Sequence, residues 1–234
     1  MNKIVIRKIC SKTTTGISEK YISRFRRKKI LNIDFSIISN NCWAGWVYRR
    51  YGIEYRTPTV GLFIMPSDYI IFLKNLKEYI NMDMKFIKPE DSKYKEYISS
   101  KDKRFGSYPI GKLNDIEIHF LHYKSSKEAY EKWNRRKQRI NLKNLIVKFN
   151  DQNGCEYKEF DEFNKLPYKN KIFFTANNNF TKSESIYIKE YSKSGFVEDD
   201  MLFCTKYLNL TQYINGIKKG DNFWWMKKMM LKYL

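Results

Sequence analysis

Apolar residues in this chain come in short runs, each ended by a polar turn or a charged stretch. Phe35-Ser36-Ile37-Ile38-Ser39 reads as a strand that runs into the polar turn Asn40-Asn41-Cys42-Trp43-Ala44-Gly45 and a helix through about Tyr51. Thr59 to Ile64 reads as a second strand. Pro66 and Ser67 open a helix whose apolar members, Tyr69, Ile70, Phe72, Leu73, Leu76 and Ile80, recur at helical spacing. Residues 88–106 are charged and poor in apolar groups, which predicts a surface excursion. Alternation through Ile116, Ile118, Phe120 and His122, with Asn114-Asp115 at the turn, predicts a β-hairpin over Tyr108 to Tyr123. Ser125, Ser126 and Glu128 suit the start of a helix from about Lys127 to Arg139. Further strands are expected at Asn144 to Phe149, Ile172 to Thr175 and Ile186 to Ile188, with short helices at Glu159 to Leu166 and Thr211 to Asn215.

Strands alternating with helices, and one inserted antiparallel hairpin, predict an α/β fold: a three-layer α/β/α arrangement around a mixed β-sheet. No repeat and no Gly/Ser/Pro-rich linker divides it, so residues 33–217 are read as a single α/β domain. Residues 1–32 form a basic lead-in with a helix from about Ser18 to Lys29, in which Tyr21, Ile22 and Phe25 supply the apolar side. Residues 218–234 read as an amphipathic basic C-terminal helix. Trp225, Met226, Met229, Met230 and Tyr233 gather on one side of it, with Lys228 and Lys232 opposite. Such a face suits either a membrane interface or docking on the domain's own core.

Composition narrows the class. Hydrophobic residues make up 42% and aromatics 17%, enough for a packed core, which excludes disorder of the whole chain. No run approaches the roughly 20 apolar residues of a membrane span. Charge at Arg7 and Lys8 interrupts the N-terminal apolar patch too soon for a signal peptide. Cys10, Cys42, Cys155 and Cys204 form no CxxC pair and read as reduced thiols of a soluble cytoplasmic protein.

The net charge of +20 is unevenly spread. Lys3, Arg7, Lys8, Lys12, Lys20, Arg24, Arg26, Arg27, Lys28 and Lys29 face only Glu19 in the first 30 residues. Two readings stand: a solvated surface shaped by codon usage, or attraction to anionic lipid, phosphorylated sugars or nucleic acid.

Ligands of open α/β sheets favour the crevice beyond the carboxyl ends of the strands. Asn40, Asn41 and Cys42 occupy one such end at a helix start, where backbone N–H groups attract a phosphate or carboxylate. The same residues also suit an ordinary capping turn. Asp151 occupies a second strand end, where a carboxylate could act as a base; an Asx-turn is the alternative. The segment resembles the acidic strand-end motif of some glycosyltransferases, with one carboxylate fewer. His119 and His122 lie in a strand, where residues three apart face opposite ways, so no metal is expected and one of them, His119, is a candidate acid or base. Trp133, Arg135 and Arg136 sit on a helix where Arg forks could hold phosphate and Trp could stack on a sugar; a core Trp beside a solvated basic face is the rival reading. The chain has no GxGxxG, Walker or GxSxG motif.

Phe35 to Gly45 followed by Thr57 to Phe63, Tyr108 to Gly111 with Asp115 to Tyr123, and Ala129, Trp133, Arg135-Arg136 and Arg139-Ile140-Asn141 together carry a resemblance. They are similar to the bacterial family called domain of unknown function 1919, often labelled exopolysaccharide biosynthesis protein, over about residues 33–215. The resemblance implies a three-layer α/β fold and a place in capsule or exopolysaccharide synthesis; it implies no catalytic residues and no cofactor. The expectation is a glycosyl- or substituent-transferase using a phosphorylated sugar donor. Asn40, Asn41, Cys42, Trp133, Arg135 and Arg136 would hold the donor, with Asp151 or His119 in acid/base roles. The basic ends would keep it near lipid-linked glycan intermediates at the inner membrane face. A non-catalytic partner of the synthesis enzymes is the alternative. Nucleic-acid binding is a weaker one that only the charge favours.

Overall fold

A computed structural model describes residues 17–219 of the chain. Four strands, β1 (Ser36–Ser39), β5 (Leu145–Asn150), β6 (Asn170–Thr175) and β7 (Ser185–Tyr187), form a parallel sheet in the order β1-β5-β6-β7. Register pairs Ile37 with Ile146, and Phe149 with Phe173. Three more, β2 (Lys85–Ile87), β3 (Ile110–Leu113) and β4 (Ile116–His119), form a separate antiparallel sheet. The expected hairpin is β3–β4, turned at Asn114 with φ 52°. The expected α/β class is the one observed, with the hairpin placed in its own sheet.

The parallel strands carry consecutive apolar residues, Ile37-Ile38, Leu145-Ile146-Val147 and Ile172-Phe173-Phe174, because both faces are covered. Their period of two sends alternate residues into two cores. Ile38, Val147, Phe149 and Phe173 join one, lined by α3 (Pro66–Lys74), α4 (Leu76–Asn81), α7 (Tyr157–Lys165) and the antiparallel sheet. Ile37, Ile146, Ile172 and Phe174 join the other, lined by α2 (Trp43–Tyr51), α8 (Asp200–Tyr207) and α9 (Leu210–Lys219). Three layers result.

Ser125 caps α6 (Ser126–Lys137) by accepting from the Glu128 N–H, as the sequence predicts. The Thr59 to Ile64 segment differs from expectation: it is an extended connector rather than a sheet strand. Phe63 exchanges both backbone bonds with His119 at 2.9 Å, while the Ile64 N–H donates to the Asn40 carbonyl at the end of β1. One short segment thus stitches the two sheets together at their adjoining ends. Within the antiparallel sheet Gly111 leaves room for its neighbours: a Cβ there would lie 2.6 Å from the Met84 sulfur and 2.8 Å from the Phe120 ring.

The charged excursion contains a short helix, α5 (Lys95–Lys101), and is pinned rather than loose. Buried Asp68 accepts from Lys93 Nζ at 2.6 Å and from the Tyr94 hydroxyl at 2.8 Å. Buried Glu117 accepts from the Ser92 hydroxyl at 2.6 Å and the Lys93 N–H at 2.9 Å. At the other end of the chain's fold, α1 (Ile17–Lys28) packs beside α2. Its apolar side, Tyr21, Ile22 and Phe25, is exposed, while Ser23 and Ile30 are buried. Cys42, Cys155 and Cys204 are free thiols. Cys10 and the amphipathic tail over Phe223 to Leu234 lie outside the described residues.

Candidate functional site

A cleft of about 650 Å³ opens beyond the carboxyl ends of β1 and β5. Asn41, Cys42, Gln152 and Asp200 come from the parallel-sheet side, and His122 follows β4. Tyr97, Lys101, Asp102 and Arg104 come from the pinned excursion. Gly154 brings the walls close, since its φ of +74° and a Cβ position 2.9 Å from the Tyr97 hydroxyl leave no room for a side chain.

The floor of the cleft is a closed polar network. Lys148, in the middle of β5, is fully buried, and its ammonium donates to Asn40 Oδ1 at 3.2 Å, to Asn41 Oδ1 at 3.0 Å and to the Asp200 carboxylate. Three acceptors match the three donors of a charged lysine. Burial pulls the Lys148 pKa below its ordinary value, against the opposing charge of Asp200. Asn40 Nδ2 donates to Asn150 Oδ1 at 2.8 Å, and Asn150 Nδ2 donates to Asp200 Oδ2 at 2.9 Å. Asn41 Nδ2 bridges Gln152 Oε1 and Asp200 Oδ2, both at 3.1 Å. Asp200 Oδ2 therefore collects three bonds, and the carboxylate, only 1% exposed, lies at the floor of the cleft.

Local sequence explains the placement. Asp199 caps α8 by accepting from the Met201 and Leu202 N–H groups, which sets Asp200 in the first turn over the sheet. Asn41 Oδ1 accepts from the Trp43 N–H, so the asparagine turn both starts α2 and holds Lys148.

The other wall is cationic. Arg104 forks onto Asp102, Nε to Oδ1 at 2.9 Å and Nη2 to Oδ2 at 3.0 Å. Burial, then the charges of Arg104 and Arg49, hold the exposed His122 below its usual pKa. Burial, followed by the Asp200 charge, pushes the Cys42 thiol up to about 11. Its Sγ donates to the Leu62 carbonyl at 3.7 Å, so this thiol is not an activated nucleophile.

The sequence candidates divide sharply. Asn40, Asn41 and Cys42 lie at the cleft or directly beneath it. The Asp151 loop meets them, through Asn150 and Gln152 rather than through Asp151. The Asp151 carboxylate turns away and is consumed by the Val197 N–H, the Ala176 N–H and the Thr175 hydroxyl at 2.7–2.8 Å, so it ties loops together. Burial still raises its pKa above the usual carboxylate value.

His119 is sealed in the interior, its ring stacked on Phe63 with centroids 4.6 Å apart and neither nitrogen hydrogen-bonded. Burial drives its pKa down to about 3. Trp133 packs edge-on against Phe120 in the core. Arg136 donates to the Tyr123 hydroxyl at 2.5 Å and covers the Tyr55 ring, fastening α6 to the neighbouring loop; Arg135 is exposed. None of these three lines the cleft. Among the described residues no group of three His, Cys, Asp or Glu is placed to hold a metal.

Sequence reading missed Lys148, Asp200, Arg104 and Lys101. Lys148 carried a usable signal, a lone cation inside the apolar run Leu145-Ile146-Val147-Lys148-Phe149. The excursion residues did not, because nothing local says that it folds back over a strand end.

Among the described residues no helix is long and apolar enough to cross a membrane. An uncharacterized protein of Haemophilus influenzae is 32% identical over 207 residues, covering 88% of this chain and 89% of the relative. Residues 13–226 match the family described as Domain of unknown function (DUF1919), a span that takes in α1 and so begins earlier than the resemblance traced from residue 33. The chain belongs to the DUF1919 family.

Proposed function

We propose that the protein acts in cell-surface polysaccharide assembly as a transferase, moving a glycosyl or other substituent group from a phosphorylated sugar donor bound in this cleft. The observation that carries the transferase reading is the Asp200 carboxylate, fixed through Oδ2 at the floor of a cleft that also presents Arg104, Lys101 and His122. The polymer class comes from the sequence resemblance alone.

The chemistry balances with these groups. An acceptor hydroxyl oxygen forms a bond to the donor's electrophilic centre as the Asp200 carboxylate takes its proton. The bond to the departing phosphate breaks with its electron pair, and that anion is met by Arg104 and Lys101. Gln152 offers its amide to sugar hydroxyls, and Phe196, 44% exposed at the cleft, offers an apolar face.

The test is titration of the pure chain with sugar nucleotides and phosphorylated sugars. A donor should bind to the wild type and to Asp200→Asn, bind at least tenfold more weakly to Arg104→Ala, and be turned over only by the wild type. Failure of every donor to bind sinks the proposal.

One observation favours a second reading, a non-catalytic partner of synthesis enzymes: Cys42, His119 and Asp151 are each chemically quiet in the fold. Donor binding without any turnover in the presence of glycan acceptors would move the assignment there.

A further inference from the structure

The α1 helix carries its apolar residues on the wrong side for a core. Tyr21 is 61% exposed, Ile22 41% and Phe25 68%, and the turn that follows adds Leu31 at 58% and Ile33 at 40%. Five of the nine large hydrophobics exposed among the described residues thus fall between positions 21 and 33. At 3.6 residues per turn, Tyr21, Phe25 and Lys28 share one outward stripe, with Arg24 on one flank and Ile22 and Lys29 on the other. Ser23 and Ile30, both buried, lie on the opposite side, where Ser23 sits under the Cβ position of Gly52 at the end of α2. Packing against the domain therefore fixes which stripe faces outward, and Lys28 Nζ lies 5.9 Å over the Phe25 ring within it.

We infer that this stripe is a docking surface for an anionic lipid bilayer, with Tyr21, Ile22, Phe25, Leu31 and Ile33 entering the headgroup boundary. The charges are complementary: Lys20, Arg24, Arg26, Arg27, Lys28 and Lys29 against Glu19 over residues 17–30. Each cation near an anionic leaflet contributes roughly 1 kcal/mol, and long Lys and Arg stems let apolar atoms sink while the charge stays wet. Aliphatic residues interleaved with the aromatics decide between polyanions. A nucleic acid stacks on rings but offers nothing to Ile22, Leu31 and Ile33, whereas a bilayer interface takes all five. The inference stands apart from the cleft, since no residue of the stripe lines it.

The experiment is co-sedimentation of the full chain with vesicles of phosphatidylcholine, and of phosphatidylcholine mixed with phosphatidylglycerol. Binding is expected to the mixed vesicles only, falling as salt rises. Tyr21→Ser with Phe25→Ser should weaken it by at least about tenfold while leaving the melting temperature unchanged, because both rings are in water in the free protein. Arg24→Glu with Lys28→Glu should abolish it. Absence of wild-type binding to the mixed vesicles overturns the inference. So does a serine variant that binds equally well, or one that melts lower or changes oligomeric state without binding lipid, since the stripe would then be covered by protein. Binding to duplex DNA that the serine variant loses, without vesicle binding, would assign the stripe to nucleic acid instead.

Discussion

Lys148 from a central parallel strand and Asp200 from the first turn of a late helix close on each other beneath the cleft, both removed from water. The lysine's other two protons are taken by Asn40 and Asn41, so its charge is fully matched. Removing one member of such a pair leaves a buried charge without compensation. Lys148→Met and Asp200→Ala should each lose about 3–5 kcal/mol in urea unfolding. The double variant should lose clearly less than the sum, and additive losses would mean the pair is not coupled.

His119 gives the molecule an acid-sensitive interior. Its pKa falls from 6.5 when unfolded to about 3 in the fold, so the unfolded chain binds the proton first. This contribution is fully present above pH 6.5 and is lost as pH falls from there toward about 3, with a slope of at most about 1.4 kcal/mol per pH unit. His119→Phe keeps the stack on Phe63 without a titrating group. Its stability relative to the wild type should rise between pH 7 and pH 5; a constant difference across that window would contradict the burial argument.

Cys42 is expected to resist alkylation at neutral pH, because burial and the Asp200 charge keep its thiol protonated up to about 11. Asp200→Asn removes the second cause. Peptide mapping after iodoacetamide treatment should show faster Cys42 labelling in that variant, and a donor bound in the cleft should suppress it.

How far the chain could be read from its letters follows from how local each signal is. The strand ends at Asn40 and Asn150, the Asn114 turn and the Ser125 cap are set by neighbours within a few positions, and periodicity finds them. Trp133, Arg136 and His119 show the limit. Each is a plausible ligand group by type, yet burial against Phe120, the hydroxyl of Tyr123 and the ring of Phe63 decides its role, and those partners come from tertiary packing. Asp151 and Asp200 are both carboxylates near the same strand ends. Only three-dimensional bonding separates the loop fastener from the cleft residue.

Asp68 should govern the order of the excursion that forms the cationic wall. Asp68→Ala leaves Lys93, the Tyr94 hydroxyl and the Glu117 N–H without their acceptor, at a cost of about 1–3 kcal/mol. Hydrogen exchange should accelerate over residues 92–104 more than in the parallel sheet. Donor affinity should fall although the substituted residue lies outside the cleft.

The Phe63–Ile64 connector bonds to the end of β4 on one side and to Asn40, just past β1, on the other, and the two walls of the cleft come from the parallel-sheet side and from the excursion between β2 and β3. The cleft is thus a mouth at the edge of two sheets that share one core, with this connector at its hinge side. Any molecule that grips Asp200 and Arg104 together becomes a crossbar between the walls, so occupancy should be felt as mechanical stiffening of the protein as a whole.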